Sequence, residues 1–404
     1  MTVAKKLLVV NVHYAPQSFG GATVLAENLA ERLAQVHDWQ VLAVSAVFDP
    51  TAVPYTVTRT RSRGVDVIGI TMPRQLSTTE QYDNPNVIRI FNDIVSRFRP
   101  DVAHVHCLQN LGAGVLDVLH EQKVPTALTI HDCWWICEQQ FMIMPTGTYC
   151  NQWKIDPATC AYCVVDAGVT RARNAHLRAR LDLPDTLLFP SEFHRQLHLA
   201  NGLGAERCVL NRNGIVPPNP GFSKKPDPMG RVRFGFVGGP GPIKGGRQIV
   251  QAFNAIEAAN YELKVVDAAK NSGGTWTFHD WVIPGKITVA PPYTRHTMDE
   301  FFGGLDVLLF PSQWKESFGL TVREAFARDV WVIATDAGGV VEDCVHGTNA
   351  TVIPMDGSSH GLETAIRECL ARTDWASYRN PLRDEIRTVD EQADELHGIL
   401  EALL

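Results

Sequence analysis

The chain has 404 residues, of which 45% are apolar and 20% charged, and its formal net charge is −7. This average composition argues against a disordered or fibrous protein, and the negative charge argues against a nucleic-acid partner, which usually requires a net basic domain. A length beyond the usual ~100 to 200 residues of one domain predicts two domains.

The amino-terminal segment MTVAKKLLVVNVHYAP contains two lysines and an apolar run that is too short and too polar for a signal peptide. No apolar run approaches the ~20 residues that a membrane span needs. We therefore expect a cytoplasmic protein, in which clustered cysteines indicate a metal site before disulfide bonds.

Short apolar runs alternate with amphipathic segments of helical length in the first half of the chain. Strands are predicted at KLLVVNV, WQVLAVSA, VDVIGIT, DVAHVH, PTALTI and DTLLFPS. A helix is predicted at ATVLAENLAERLAQ, where the apolar positions fall on one face. This alternation favours a parallel sheet with crossover helices.

Residues 213–230 are rich in proline and glycine and have no period, which is typical of a linker. The alternation then restarts, with strands predicted at RVRFGFVG, YELKVVD, KITVAP, DVLLFPS, VWVIATD and ATVIP. We predict an α/β protein with two doubly wound, Rossmann-like domains facing a cleft, over residues 1–212 and 213–383, and a separate helix within 384–404. In such sheets ligands bind at the carboxyl ends of the strands.

The loop after the first strand contains Gly20 and Gly21 at the start of a predicted helix. Adjacent glycines let the backbone approach an anion, and the helix start offers free amides. An ordinary flexible turn fits these two residues equally well. The spacing is not that of a dinucleotide fingerprint.

The loop FGFVGGPGPIKGG ends a strand at Gly238 and Gly239 and places Lys244 just before a helix. A lysine beside a helix start favours a phosphate contact, with a solvated lysine on a turn as the alternative. The loop lacks the Lys-Ser/Thr ending of a Walker motif, which disfavours nucleotide hydrolysis.

The segment WKESFGLTVREAF follows another strand and carries Glu316 before a predicted helix and Glu324 within it. Free amides at Gly319, Leu320 and Thr321 would attract a diphosphate. The two carboxylates would repel the phosphates and therefore must accept hydrogen bonds from hydroxyl groups. A ligand with hydroxyls at both ends and a diphosphate between them is a nucleotide sugar.

Together, ESFGLTVREAF, GGPGPIKGG, the early Gly-Gly pair, RNGI and TDAGGVVEDCVHG resemble the retaining glycosyltransferases of family four, which have the GT-B fold. The resemblance implies that Glu324 holds the ribose, that Glu316 and nearby amides hold the donor sugar, and that Lys244 neutralises the diphosphate. It also implies that His131, in LTIHD, approaches the hydroxymethyl end of the sugar. The alternative for His131 is a core or helix-cap histidine, and His104 and His106 fit a packing role at least as well.

The family usually has an arginine where this chain has Gly239, and Arg247 is a candidate substitute. The expected catalytic residues are His131, Glu316 and Lys244. The expected donor-binding residues are Gly20, Gly21, Gly238, Gly239, Lys244, Arg247, Ser317, Phe318, Gly319, Leu320, Thr321 and Glu324.

By resemblance, transfer proceeds with retention by a front-face displacement, without a catalytic metal, and the last helix crosses back to the first domain. We expect a UDP- or GDP-linked sugar as donor and a glycan, lipid-linked or small-molecule acceptor. The alternatives are a catalytically silent nucleotide-sugar-binding subunit of a synthase and a nucleotide-sugar epimerase of the same fold.

A cysteine cluster follows His131 in the sequence. The predicted ligands of a structural zinc are Cys137, Cys150, Cys160 and Cys163, with Cys133 as a substitute. The irregular spacing leaves an iron–sulfur cluster or no metal as alternatives.

The segment TRARNAHLRARL carries Arg171, Arg173, Arg178 and Arg180 on a predicted helix. A basic helix can contact an anionic membrane surface, which would make the protein peripheral on the inner face of the membrane, or an acceptor with a lipid diphosphate. A solvated helix face is the alternative.

Overall fold

Two sheets organise the chain, one in each of two units. The computed structural model describes residues 4–18, 20–239, 241–257, 260–267, 278 and 280–404. The first unit consists of Met1–Gln140, Gln152–Asn213 and Val389–Leu404, and the second of Phe141–Asn151 and Gly214–Thr388. This division assigns Phe141–Asn151, in the middle of the predicted first domain, to the second unit.

The sheet of the first unit has the strand order β3-β4-β2-β1-β5-β6-β7-β8. Its strands are β1 (Lys6–Val10), β2 (Gln40–Val47), β3 (Val57–Ser62), β4 (Val65–Thr71), β5 (Val102–Val105), β6 (Thr126–Thr129), β7 (Thr186–Phe189) and β8 (Cys208–Leu210). Neighbouring strands run parallel except β3, which pairs antiparallel with β4. Buried apolar side chains from both faces of the central strands form the core, as expected for a covered parallel sheet.

The sequence prediction missed β3 and β8. All but the last residue of β3 are exposed, because this strand lies at the edge of the sheet, and it carries the polar sequence VTRTRS. The three residues of β8 are too few to show a period.

The first unit contains the following helices before its last segment, some of which begin at a residue whose side chain caps them. They are α1 (Gly20–Val36), α2 (Pro85–Phe98), α3 (Val115–Glu121), α4 (Pro157–Cys160), α5 (Ala167–Arg180) and α6 (Glu192–Ala200). The side chain of Asn84 caps α2 by accepting from the amide of Val87, with proline in the first turn. Asp166 and Ser191 cap α5 and α6 in the same way.

The sheet of the second unit is parallel throughout, in the order β11-β10-β9-β12-β13-β14. Its strands are β9 (Val232–Val237), β10 (Tyr261–Val266), β11 (Lys286–Ala290), β12 (Val307–Phe310), β13 (Trp331–Thr335) and β14 (Ala350–Ile353). Its helices are α7 (Gly246–Asn254), α8 (Met298–Gly303), α9 (Leu320–Phe326) and α10 (His360–Ala371). The strand order reverses between β9 and β12, and such a reversal opens a crevice at the carboxyl ends of the strands.

The last helix, α11 (Val389–Glu401), returns to the first unit and packs on α1. Its apolar face, with Val389, Ala393, Leu396 and Leu400, is buried. At the edges of this contact, His37 lies 2.9 Å from Asp394, and the indole of Trp39 donates to the imidazole of His397 over 3.0 Å.

The predicted α/β architecture with two parallel-sheet domains is confirmed by these two sheets. Within the part of the chain that the structure describes, no helix is both long and apolar enough to cross a membrane.

Candidate active site

The loop between β12 and α9 is fixed by backbone bonds to the segment that follows β13. The amide of Glu316 donates to Ala337 O over 3.0 Å, and the amide of Gly339 donates to Glu316 O over 2.9 Å. The turn into α9 requires a glycine, because Gly319 has φ +90 and a Cβ there would lie 3.0 Å from a methyl group of Val340.

A buried arginine that the sequence reading missed holds the same turn. Arg323, on α9, is 2% exposed and pairs with Asp343. Its guanidinium also donates to the carbonyls of Phe318 and Gly339. The sequence contains a signal that could have found it: Arg323 lies among apolar residues of the helix, and a buried arginine needs polar partners.

The structure brings Lys244 and Glu316 together. Nζ of Lys244 lies 2.9 Å from Oε1 of Glu316 and 5.1 Å from the centre of the Trp314 ring. The hydroxyl of Ser312 donates to the same Oε1 over 2.8 Å. The two loops meet because they follow β9 and β12, which are neighbours in the sheet.

The loop that carries Lys244 depends on glycine backbone geometry. After Gly239 a short 3-10 turn, Pro242–Lys244, leads to Gly245, the residue before α7, which has φ +80. A Cβ at Gly245 would lie 2.0 Å from Pro311 O, so no other residue fits without a shift of the backbone.

A Cβ at Gly238 or Gly239 would clash with no other atom, unlike a Cβ at Gly245. A Cβ at Gly238 would make only ordinary contacts, of which the nearest are with Lys244. Gly239 has φ +77, which disfavours any side chain there, although a Cβ would meet no atom within 4 Å. Arg247 is exposed on the first turn of α7, and its role as a substitute cation stays a prediction.

Glu324 lies on α9 and accepts a hydrogen bond of 2.6 Å from the hydroxyl of Tyr293. The ring of Tyr293 stacks on Phe301, with ring centres 4.9 Å apart. Burial raises the pKa of Glu324 above its usual range, against the lowering effects of the Tyr293 hydrogen bond and the charge of Arg328. Sequence reasoning missed Tyr293, because the residue lies far from Glu324 in the chain.

His131 and the early glycines belong to the first unit. Gly20 and Gly21 are exposed at the start of α1, and Gly20 has φ +79. His131 follows β6, and its Nε2 lies 2.9 Å from Nδ1 of His106. Burial lowers the pKa of His131 to about 4, so its imidazole is neutral at pH 7.

Known proteins resemble the chain over both units. The family model described as Glycosyltransferase Family 4 matches residues 19–217, and the model described as Glycosyl transferases group 1 matches residues 222–387. The chain belongs to the family 4, group 1 glycosyltransferases.

Solved structures show the same fold for this glycosyltransferase. Sucrose-phosphate synthase from Thermosynechococcus elongatus is 16% identical, with a TM-score of 0.71 and 99% of each chain covered. HepE from Anabaena, in complex with UDP and glucose, is 15% identical, with a TM-score of 0.66 and coverage of 98% of this chain and 100% of the other. The catalytic domain of starch synthase IV from Arabidopsis thaliana, bound to ADP and acarbose, is 14% identical, with a TM-score of 0.63 and 99% of each chain covered. A comparison with curated proteins gave no match.

The predicted zinc ligands of this glycosyltransferase are divided between the units. Cys137, Cys160 and Cys163 belong to the first unit, and Cys150 belongs to the second. Among the described residues, no group of three or more histidine, cysteine or acidic side chains is arranged to hold a metal ion. The zinc site therefore stays a prediction.

Most arginines of α5 contact other residues of the first unit. Arg173 is 4% exposed and donates to Trp134 O over 2.7 Å. Arg180 forms an ion pair of 2.7 Å with Asp117, and Arg178 donates to Gly202 O. Arg171 stays exposed, so the helix presents less basic surface than its sequence indicates.

Proposed function

We propose that the protein is a retaining glycosyltransferase that moves a sugar from a nucleotide-diphosphate sugar to a hydroxyl of a glycan, lipid-linked or small-molecule acceptor. The observation that carries this proposal is the contact of Lys244 with Glu316 at the ends of β9 and β12, beside the start of α9. A cation and a carboxylate thus meet where the strand order reverses, which is where such sheets bind ligands. The reaction would serve glycan or glycoconjugate biosynthesis.

Structures of similar fold support a nucleotide-sugar donor. HepE has been solved with UDP-glucose as well as with UDP and glucose, and the starch synthase catalytic domain with ADP. These two proteins hold different bases, so the base of the donor is an experimental question for this chain.

In this proposal, donor binding exchanges the partners of the Lys244–Glu316 pair. The ammonium of Lys244 turns to the phosphate oxygens, and Glu316 accepts hydrogen bonds from the sugar hydroxyls. Ser312 keeps the carboxylate of Glu316 oriented throughout, since it donates to the oxygen that Lys244 leaves. Glu324 accepts from the ribose, and Tyr293 limits the rotation of its carboxylate.

The transfer step breaks the bond between the anomeric carbon and the phosphate oxygen and forms a bond from the acceptor oxygen on the same face. The proton of the acceptor hydroxyl passes to the leaving phosphate oxygen. Negative charge builds on the diphosphate, and Lys244 stabilises it in a partly enclosed site. We propose that this step needs no metal, because the sequence has no Asp-x-Asp pair at a strand end.

Thermal unfolding with UDP, GDP, ADP and their sugars tests the donor class. A ligand at 100 times its dissociation constant stabilises the folded protein by about 2.7 kcal/mol and raises the melting temperature. Lys244→Met is expected to reduce the shift, whereas Lys286→Ala is expected to keep it. Lys286 also pairs with a carboxylate, Glu262 at 3.0 Å, but lies at the amino end of β11.

Nuclear magnetic resonance of the product then decides the reaction class. Transfer with the anomeric configuration of the donor supports retention, and an inverted product contradicts it. Turnover of any donor rules out a silent binding subunit, and transfer without change of the sugar's stereocentres rules out an epimerase.

A further inference from the structure

A row of histidines lies on β5 and after β5 and β6, next to the point where the strand order of the first sheet reverses between β1 and β5. His104 is in β5, His106 follows β5, and His131 follows the neighbouring strand β6. The ring centres of His104 and His106 are 4.0 Å apart, and those of His106 and His131 are 5.2 Å apart with an interplanar angle of 20°. His104 is tied to the sheet by a 2.8 Å contact between its Nε2 and the hydroxyl of Thr129.

Among the described residues, only one nitrogen of His106 has a hydrogen-bond partner. Its Nδ1 lies 2.9 Å from Nε2 of His131, and its Nε2 is buried without a partner among the described residues. A neutral imidazole has one N–H donor and one acceptor nitrogen. Buried N–H groups without an acceptor are rarer than acceptors without a donor. The proton of His106 therefore belongs on Nδ1, which makes Nε2 of His131 the acceptor.

This assignment fixes the proton of His131 on Nδ1. The ring makes no other hydrogen bond within the described residues, so Nδ1–H is its remaining donor. Burial keeps the pKa of His106 well below its usual value and that of His131 at about 4, so both rings are neutral at pH 7.

The segment after β6 is also held from its other side. Nε2 of His194 lies 3.2 Å from the carbonyl of Asp132, the residue after His131. The carboxylate of Asp132 accepts from the amide of Trp134 and from the side chains of Gln109 and Gln140. The ring of His131 and the residue that follows it are therefore held by separate contacts, as preorganised sites require.

We propose that His106 is a positioning residue, which sets the tautomer and ring orientation of His131 so that His131 offers Nδ1–H as a hydrogen-bond donor to an oxygen of the donor sugar. The role toward the sugar rests on the proposed function, whereas the tautomer is a property of the protein alone. It follows that His131 acts as a neutral donor and takes no proton during transfer.

The tautomer is measured directly by nitrogen-15 resonance of histidine-labelled protein, with the His131 signals identified by their loss in His131→Gln. The expected spectrum shows a protonated Nδ1 and an unprotonated Nε2 on His131 at pH 7. His106→Asn keeps an amide N–H near the position of Nδ1 and is expected to keep this tautomer. His106→Asp offers an acceptor instead and is expected to move the proton of His131 to Nε2 or to add a second proton.

A protonated Nε2 on His131 in the unmodified protein would overturn the proposal, as would an identical His131 spectrum in the Asn and Asp variants. Should His106→Asp fail to fold, the spectra of the unmodified protein and of His106→Asn still decide. His104→Asn is the matched control, because it removes a buried histidine of the same row that does not bond to His131.

Kinetics separate positioning from a general structural role. His106→Asp is expected to lower kcat about tenfold, the equivalent of one hydrogen bond of roughly 1.4 kcal/mol. His106→Asn and His104→Asn are expected to stay within about threefold of the unmodified protein. A correct tautomer in a protein without transfer activity would refute the proposed function and leave the positioning of His131 intact. Transfer activity with the opposite tautomer would refute the positioning alone.

Discussion

Replacing Lys244 by methionine should lower the transfer activity much more than the stability of the fold. The ion pair with Glu316 is partly exposed, at 30% for the lysine side chain and 11% for the glutamate. Pairs of this kind contribute at most about 1 kcal/mol to folding. The hydroxyl of Ser312 still donates to the oxygen that loses the ammonium, so Glu316 keeps a partner. The free energy of unfolding should therefore fall by no more than about 1 kcal/mol.

The effect on transfer should be larger, because the ammonium faces the charge that develops on the diphosphate. A charge-assisted hydrogen bond contributes roughly 1.5 to 3 kcal/mol, which corresponds to a loss of roughly 10- to 150-fold in kcat/KM. Urea unfolding and initial rates of transfer, measured on the same preparations, give both quantities. Lys286→Ala controls for the loss of a lysine ion pair elsewhere in the same sheet. Equal losses in the two free energies, or unchanged kcat/KM, would refute the assignment of Lys244.

Three further outcomes follow from particular residues. Burial raises the pKa of Glu324 in the folded protein above its usual value. At a pH between the two pKa values, the folded protein holds a proton that the unfolded chain has lost. The free energy of unfolding therefore falls as pH rises through this range. Glu324→Gln should remove that slope and unfold at higher urea than the unmodified protein at pH 7, while donor binding weakens; an unchanged slope would contradict the argument. Gly245→Ala should destabilise the protein by more than the ~1 to 2 kcal/mol of left-handed backbone strain, because its Cβ would clash with Pro311 O. Gly239→Ala, where a Cβ has open space, should cost the backbone strain alone. Similar urea midpoints for the two variants would be inconsistent with this difference. For the predicted zinc site, metal analysis of protein purified without added metal should find zinc that is lost in Cys160→Ser and in Cys163→Ser, and metal-free protein would rule the site out.

The strands and the loops after them could be predicted because their signals are local. A buried parallel strand is a short apolar run, and the glycines and charged residues that follow each run are visible beside it. Glu316 and Lys244 were both expected at strand ends on these grounds. Their direct contact was not expected, because it depends on β9 and β12 being neighbours, which no local pattern encodes.

The residues that support the site were missed for the same reason. Tyr293 meets Glu324, and Ser312 meets the Glu316–Lys244 pair, only through the fold. The packing role considered for His106 agrees with its burial but omits its bond to His131, which joins the ends of two strands. Periodicity shows that a side chain points inward and cannot show which partner it finds there.

The two sheets place different chemistry at the same topological position. In the first unit the strand order reverses between β1 and β5, and the groups nearby, His106 and His131, are neutral at pH 7 because burial lowers their pKa. In the second unit it reverses between β9 and β12, where Lys244 and Glu316 form an ion pair. Neutral donors bind hydroxyl groups without the desolvation cost of a buried charge, and a cation is needed only where phosphate charge must be balanced. On the proposed function, Lys244 balances phosphate charge while the neutral His131 donates to a sugar hydroxyl, so added salt should weaken the Lys244-dependent part of donor binding and leave the His131-dependent part unchanged.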